Sequence, residues 1–475
     1  MVAESYLTKN VCVIGAGPSG LVAARELRKE GHKVVVIEQN HDVGGQWLYD
    51  PHVEAEDPLG KCTTLKVHSS VYDSLRLQSP RETMGFSDFP VLVKDGRDMR
   101  SFPGHRELLL YLQDFCECFE LREFIRFSTR VENVRMLNYG DQFGKDLIWV
   151  VKSIDIKNEE VLEEEFDAVV VATGHYSHPR LPPIKGIDGW TRKHLHSHVY
   201  RVPEPFRDEV VVVVGNSFSG QDIAMELLQV AKEVHLSSKS LDICEGLSKV
   251  ISKHDSLHLH PEIDSLHEDG RVVFVDGSCL TADTIIYCTG YQYTLPFLDS
   301  KEIITIDDGR VGPLYEHTFP PSVAPSLSFM GIPTRESTKP PFKIRNVVIQ
   351  RISRVTLASL MQIIGFPFFE SQARWIAQLL SGKLTLPSQD DMMQSIKEFY
   401  REMDVAGIPK HSTHDIGDFE YCDKYADFAG SPHVEEWKKE LCLAAVMRAQ
   451  VDLEMYRDSS YEDYGLPHQN SKLAN

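Results

Sequence analysis

Gly15, Gly17 and Gly20 stand in GxGxxG spacing within VCVIGAGPSG, directly after an apolar run and at the start of a helix-periodic segment. Gly15 permits a tight turn and Gly17 lets a pyrophosphate approach the backbone. Gly20 lets strand and helix pack closely, while Pro18 and Ser19 open a helix whose N-terminus favours an anion. Glu38 closes the next strand, 23 residues after Gly15, where a carboxylate accepts ribose hydroxyls and repels a 2′-phosphate. FAD or NAD, rather than NADP, is therefore expected at this loop. Gly45, Gln46 and Trp47 add a second stretch of bare backbone next to where a flavin would lie, which favours FAD.

A second loop, VVVVVGNSFSG, begins its glycines 200 residues later, with Gly215, Asn216, Ser217, Ser219 and Gly220 in the corresponding places. Ser217 replaces the middle glycine. The strand after its helix ends in Ser237, Ser238 and Lys239, where the first unit has Glu38. Hydroxyls and a cation in place of an acid are what a 2′-phosphate calls for, so this loop is expected to hold NADPH through Ser238 and Lys239. Two dinucleotides at one site suggest hydride passing from NADPH to FAD.

The elements that position these loops follow from periodicity. Residues 11–14, 33–39 and 166–171 read as buried strands, and 19–30 as a helix stopped by Gly31. The cycle repeats with a strand at 210–214, a helix from about 219 to 232, and strands at 233–238 and 284–290. Two of these strands end in parallel tripeptides, Ala172-Thr173-Gly174 and Cys288-Thr289-Gly290. The fold class is therefore α/β: two doubly wound Rossmann-like dinucleotide-binding domains, with the NADPH domain inserted into the FAD domain. Expected boundaries are 1–200 for the first part of the FAD domain, 201–295 for the NADPH domain and 296–465 for the second part. Residues 466–475 are expected to be a flexible tail. FPFFESQARWIAQLLSG, from 366 onward, reads as an amphipathic helix stopped at Gly382.

Between the loops, HLHSHVYR places His194, His196 and His198 in alternation, on one face if the segment is a strand. No cysteine or carboxylate completes a ligand set nearby, so hydrogen bonding within a linker is the expected role and no metal is assigned. The net charge of −20 and the lack of a basic arm argue against nucleic acid as a partner. There is no run of 18 apolar residues and hence no expected integral membrane span. Nine scattered cysteines, and no long apolar leader in the first ten residues, fit a cytoplasmic protein with reduced thiols.

With these residues in place, the chain resembles the flavin-containing monooxygenases of the class B flavoprotein monooxygenases, and within them the plant branch of glucosinolate S-oxygenases. The resemblance covers both glycine loops, the Ala-Thr-Gly and Cys-Thr-Gly strand ends, and the stretch WTRKHLHSHVY, which matches FxGxxxHxxxY except for Trp190 and Arg192. It implies transfer of one oxygen atom from O2, through a C4a-hydroperoxyflavin, to a soft nucleophile, above all a thioether sulfur giving a sulfoxide. N-hydroxylation, uncoupled NADPH oxidation to hydrogen peroxide, and a redox-sensing flavoprotein without turnover are the competing readings. Many relatives carry Asn where this chain has Gln78, so Gln78 is the candidate for stabilising the oxygenated flavin, with some leakage to peroxide. Compared with relatives, residues 334–361 are an apparent insertion with six bases and one acid. The segment reads more simply as a gene-model artefact than as a membrane-surface helix.

Overall fold

The computed structural model describes residues 7–53, 56–62, 67–137, 147–299, 303–333, 365–416 and 419–464. The basic stretch 334–361 and the tail 466–475 lie outside them.

The chain begins with Asn10–Ile14 (β1), Pro18–Lys29 (α1), Lys33–Ile37 (β2), His105–Cys118 (α2), Ile125–Arg126 (β3) and Ala168–Val171 (β4). It then builds Lys193–His196 (β5), Val210–Val214 (β6), Phe218–Leu227 (α3), Glu233–Ser237 (β7), Glu245–Lys253 (α4), Leu257–His260 (β8) and Thr284–Tyr287 (β9). It returns with Leu327–Phe329 (β10), Gly365–Ser381 (α5), Gln389–Ala406 (α6), Phe419–Ala429 (α7) and Glu436–Val451 (α8). The strands form two five-stranded sheets, ordered β10-β4-β1-β2-β3 and β5-β9-β6-β7-β8. Every pairing in both is parallel. The second sheet is spliced between β4 and β10 of the first.

The valine runs are explained by burial on both faces. In β1, Val11 and Val13 face one core with α1 and α5, while Cys12 and Ile14 face another with Trp149 and Phe329. In β6, Val211 and Val213 pack with α3 and α4, and Val212 and Val214 against Val272 and Phe274. Arg25 of α1, 2% exposed, donates to Glu370 of α5 at 2.9 Å and to Asp88 at 2.6 Å. A buried guanidinium without such partners would be strongly destabilising, so this pairing ties the helix behind the first loop to the C-terminal part of its domain.

Two expected boundaries move. Lys193–His196, expected in the FAD domain, pairs with β9 and is the edge strand of the second sheet. The C-terminal α8, expected to complete the FAD domain, buries Ala445 and Ala449 in the second domain's core. Lys253 of α4 is paired with Glu454 just beyond α8, and Arg457 holds Asp222 of α3 in a two-pronged contact at 3.0 and 2.8 Å. These long-range contacts have no local sequence signature. Helix α3 also ends at Leu227, short of residue 232, after which Leu228–Val230 turn into β7. The segment FPFFESQARWIAQLLS is helical as expected, within Gly365–Ser381, and Gly382 ends it with φ +80°.

Candidate functional site: two glycine loops and a cavity

Gly15 and Gly215 adopt φ +104° and +111°, a region L side chains rarely enter. A Cβ on Gly15 would stand 2.6 Å from the Ala172 carbonyl oxygen, and one on Gly215 would stand 2.4 Å from that of Cys288. Each glycine turn is thus pinched against the strand end that carries Ala-Thr-Gly or Cys-Thr-Gly, which explains why those tripeptides recur. Gly20 and Gly220 repeat each other as closely. A Cβ there would meet the Gly15 or Gly215 carbonyl oxygen at 1.8 or 1.9 Å.

Gly17 is different. It precedes α1 in extended conformation, φ −75°, and a Cβ on it would meet the Gly45 backbone at ordinary distances, Cα at 3.5 Å and N at 3.9 Å. No protein atom forbids a side chain there. The corresponding position of the second loop holds Ser217, exposed ahead of α3.

Glu38, at the end of β2, is 4% exposed; its Oε2 accepts from Ala16 N–H at 2.6 Å and its Oε1 from Asn40 N–H at 2.8 Å. Burial pushes its carboxyl above the usual carboxylate range, and the two backbone donors act against that shift. The Ala16 N–H belongs to the glycine loop itself, so Glu38 holds the loop's shape with one edge and keeps further lone pairs for hydroxyls.

A cavity of about 640 Å³ opens over this loop. Its wall contains Gly15, Gly17, Pro18, Ser19, Glu38, Gly45, Gln46 and Trp47, which is every expected FAD contact except Gly20. Gly20 is buried behind the loop, as a packing glycine must be. Gly45 has φ +55° and comes so close to Gly17 that a Cβ would stand 2.9 Å from its Cα. Gln46 Nε2 donates to Ser70 Oγ at 3.3 Å.

The wall also contains His175, immediately after Ala-Thr-Gly, which sequence reasoning passed over. Its Nδ1–H donates to the Gly331 carbonyl at 2.9 Å, so Nε2 carries the lone pair. That Nε2 is buried without a hydrogen-bond partner among the described residues. Burial lowers the imidazole's pKa to about 4, leaving it neutral near pH 7.

Gln78 is half-buried, and the residue of its segment in the cavity wall is the neighbouring Ser79. The second-loop residues Gly215, Asn216, Ser217, Ser219, Gly220, Ser238 and Lys239 lie outside this cavity. Ser238 is buried at the end of β7 and Lys239 is exposed beside it, beyond α3 and its glycine turn. Arg192, a departure from the family pattern, donates to the carbonyls of Ala282 and Asp269 at 2.8 and 2.9 Å and lies across Gly270, where a Cβ would meet its Nε at 2.1 Å. It braces the turn at Asp269–Gly270 against Ala282.

The histidine-rich linker is a structural knot. His194 and His196 lie on β5, but His198 falls in a short 3-10 turn, so the three do not share a strand face. His198 Nε2–H donates to the Val67 carbonyl at 3.0 Å, and its backbone N–H donates to His196 Nδ1 at 3.1 Å. Arg201, 7% exposed, gives its donors to the carbonyls of Asp50, His198, Tyr200 and Ser69. The junction between the domains is built on backbone acceptors that no sequence motif displays.

The family model described as Flavin-binding monooxygenase-like matches residues 8–253 and 254–342. The flavin-containing monooxygenase FMO GS-OX-like 8 of Arabidopsis thaliana is 65% identical over 457 residues, spanning 96% of this chain and 93% of its own. The structure of S-allyl-L-cysteine S-oxygenase from Allium sativum superposes with a TM-score of 0.85 at 42% identity, covering 97% of each chain. OTEMO, solved in complex with FAD and NADP, shares the fold at a TM-score of 0.57 and 17% identity, over 89% of this chain and 98% of its own.

Proposed function

Because the chain belongs to the flavin-binding monooxygenase-like family and is a flavin-dependent monooxygenase, we propose that its reaction is the NADPH-dependent conversion of a small thioether to a sulfoxide. The observation that carries the sulfur assignment is the close, full-length likeness to an S-oxygenase structure.

The residues present fit FAD. The helix N-terminus at Gly17 carries free backbone space that a Cβ would fill, and the His175 Nε2 is an acceptor without a donor among the described residues. When bound, FAD supplies the redox centre that accepts a hydride from NADPH and activates O2. Gly15, Gly17, Pro18 and Ser19 would receive the pyrophosphate at the positive end of α1. Glu38 would orient the ribose, and Gly45, Gln46 and Trp47 would flank the flavin half. Gly215, Asn216, Ser217, Ser219 and Gly220 would do the same for NADPH at α3, with Ser238 and Lys239 taking the 2′-phosphate. Glu38 in one unit and Lys239 in the other would assign FAD to the first loop and NADPH to the second. A thioether needs no protein acid or base, so the chain's task is to orient it and keep water away. Met84, Phe297, Phe366 and Phe369 give that cavity an apolar wall.

Cys12, Cys116, Cys118, Cys244, Cys279 and Cys288 are free thiols, which supports placement in the reducing cytoplasm. Among the described residues no helix is long and apolar enough to cross a membrane. The test is purified, FAD-loaded enzyme with NADPH and S-alkyl-cysteine or methylthioalkyl substrates, following NADPH, peroxide and sulfoxide together. Near-stoichiometric sulfoxide is expected. NADPH loss fully accounted for by peroxide with every thioether refutes the proposal.

A further inference from the structure

Away from the cavity, the described residues gather metal-ligand chemistry on the second sheet. Strands β7 and β8 pair with His235 opposite His258 and Ser237 opposite His260. Paired residues of parallel strands share a face, as do residues two apart on one strand. Glu233, His235, His258 and His260 therefore project from one side. The His235 and His258 rings stack at 4.8 Å with planes 22° apart. His235 Nε2 lies 3.3 Å from Glu233 Oε2, and His235 Nδ1 lies 3.0 Å from His260 Nε2. One ligand atom each from Glu233, His235 and His258 falls within 4.8 Å of the other two.

We propose that Glu233, His235 and His258 form a binding site for one divalent transition-metal ion of the zinc class, with water completing a tetrahedron. Two imidazoles and one carboxylate are a familiar zinc donor set. At bond lengths near 2.0–2.1 Å, tetrahedral ligand atoms stand about 3.3 Å apart, so the widest separation must close by roughly 1.5 Å. The groups that have to move are the half-exposed ones, His258 and Glu233, while His235 is buried and stays. His260 sits where an outer partner belongs. In the ion-free protein His235 Nε2–H donates to the Glu233 carboxylate; an ion on Nε2 would shift that proton to Nδ1, where His260 accepts it. Phe274 stacks on His260 at 4.2 Å and keeps that partner in place.

An ion here would clamp the outer edge strand β8 to β7. Of the alternating histidines of the linker, the obvious candidates in the sequence, His196 and His198 each use a ring nitrogen on a backbone hydrogen bond, whereas His235 and His258 are 23 residues apart and meet only through strand pairing.

The experiment uses chelator-treated, FAD-loaded full-length protein at pH 7.5. Zn²⁺ is titrated by calorimetry, and Co²⁺ by its visible tetrahedral bands. One equivalent should bind with a dissociation constant in the micromolar range or below. His258→Ala and Glu233→Gln should each weaken binding about 10–100-fold with unchanged flavin content, and His52→Ala, at an exposed histidine elsewhere, should bind as the parent does. No binding of Zn²⁺ at 100-fold above that range, or equal binding by the His258→Ala/Glu233→Gln double variant, overturns the proposal.

Discussion

Replacing Gly17 with serine separates a glycine kept for the ligand from one kept for the fold. A Cβ at residue 17 finds its nearest protein atom at 3.5 Å, an ordinary contact. Serine is also a good helix N-cap, and Ser217 fills this place in the second loop without strain. The apoprotein should therefore melt within about 2 °C of the parent, since less than about 0.5 kcal/mol is at stake. FAD binding should suffer, because the new side chain occupies the approach of the pyrophosphate to the α1 N-terminus. Losing one hydrogen bond to a charged group costs about 1.5–3 kcal/mol, or roughly 10- to 150-fold in affinity. Gly20→Ala is the contrast. Its Cβ would stand 1.8 Å from the Gly15 oxygen, so loop and helix must part by over 1 Å, and overpacking of that kind costs about 1–3 kcal/mol or more. That variant should lose both melting temperature and FAD. Differential scanning calorimetry of the apoprotein and titration of flavin fluorescence read the two effects separately. If Gly17→Ser retains FAD affinity within about twofold, the pyrophosphate does not lie where the loop geometry puts it.

Lys239→Ala should lower kcat/KM for NADPH about 5- to 10-fold, the reach of an exposed charge-assisted contact, while NADH turnover stays level; an equal loss with both would show that Lys239 does not read the 2′-phosphate. Arg457→Ala leaves Asp222, 8% exposed on its side chain, as an uncompensated buried carboxylate, so stability should fall about 3–5 kcal/mol and the C-terminal helix should become protease-sensitive. An Asp222→Asn/Arg457→Met pair should recover much of that loss in urea unfolding, and no recovery would refute the pairing argument. His175, His198 and His317 are each lowered by burial to about 4. Below the unfolded value near 6.5 the unfolded chain then binds more protons than the folded one, so stability is full above pH 6.5 and falls toward pH 4, by up to about 1.4 kcal/mol per pH unit for each histidine. Denaturant unfolding that is flat from pH 6.5 to 5 would contradict this. Gln78→Asn should reduce the share of NADPH electrons ending in peroxide, measured with a peroxide-coupled dye; an unchanged share would move the role of that segment to Ser79.

What could be seen in the chain beforehand depended on how local its cause was. The glycine loops were legible because turn, close approach and helix packing each demand a missing side chain at a set spacing. The cavity wall gathers Gly15, Gly17, Glu38, Gly45 and Trp47. The valine runs were legible because burial on both faces leaves no polar positions. Helix α8 was misplaced, since nothing in Glu436–Val451 says which domain it covers, and its residues meet α3 and α4 only in three dimensions. His175 was missed because a lone histidine after a tripeptide carries no pattern. Its meaning comes from the Gly331 carbonyl that fixes one nitrogen and the cavity that faces the other. Arg192, which looked like a departure near the chemistry, spends its donors on Ala282 and Asp269.

The two chain crossings between the sheets leave from equivalent pinched carbonyls, Ala172 and Cys288, and run at once into a two-strand ribbon, His178–Pro179 against Tyr291–Gln292. Arg180 N–H donates to the Gly290 oxygen at 2.9 Å and Thr289 Oγ1 to the Arg180 oxygen at 2.5 Å. Seen from the first sheet, everything between Arg180 and Gly290 is one long loop buttoned shut at its base. Closure entropy grows only slowly with loop length, so the host sheet bears little penalty for carrying a whole second nucleotide-binding unit. The inserted unit can then vary in size without prising apart the sheet that carries the first glycine loop.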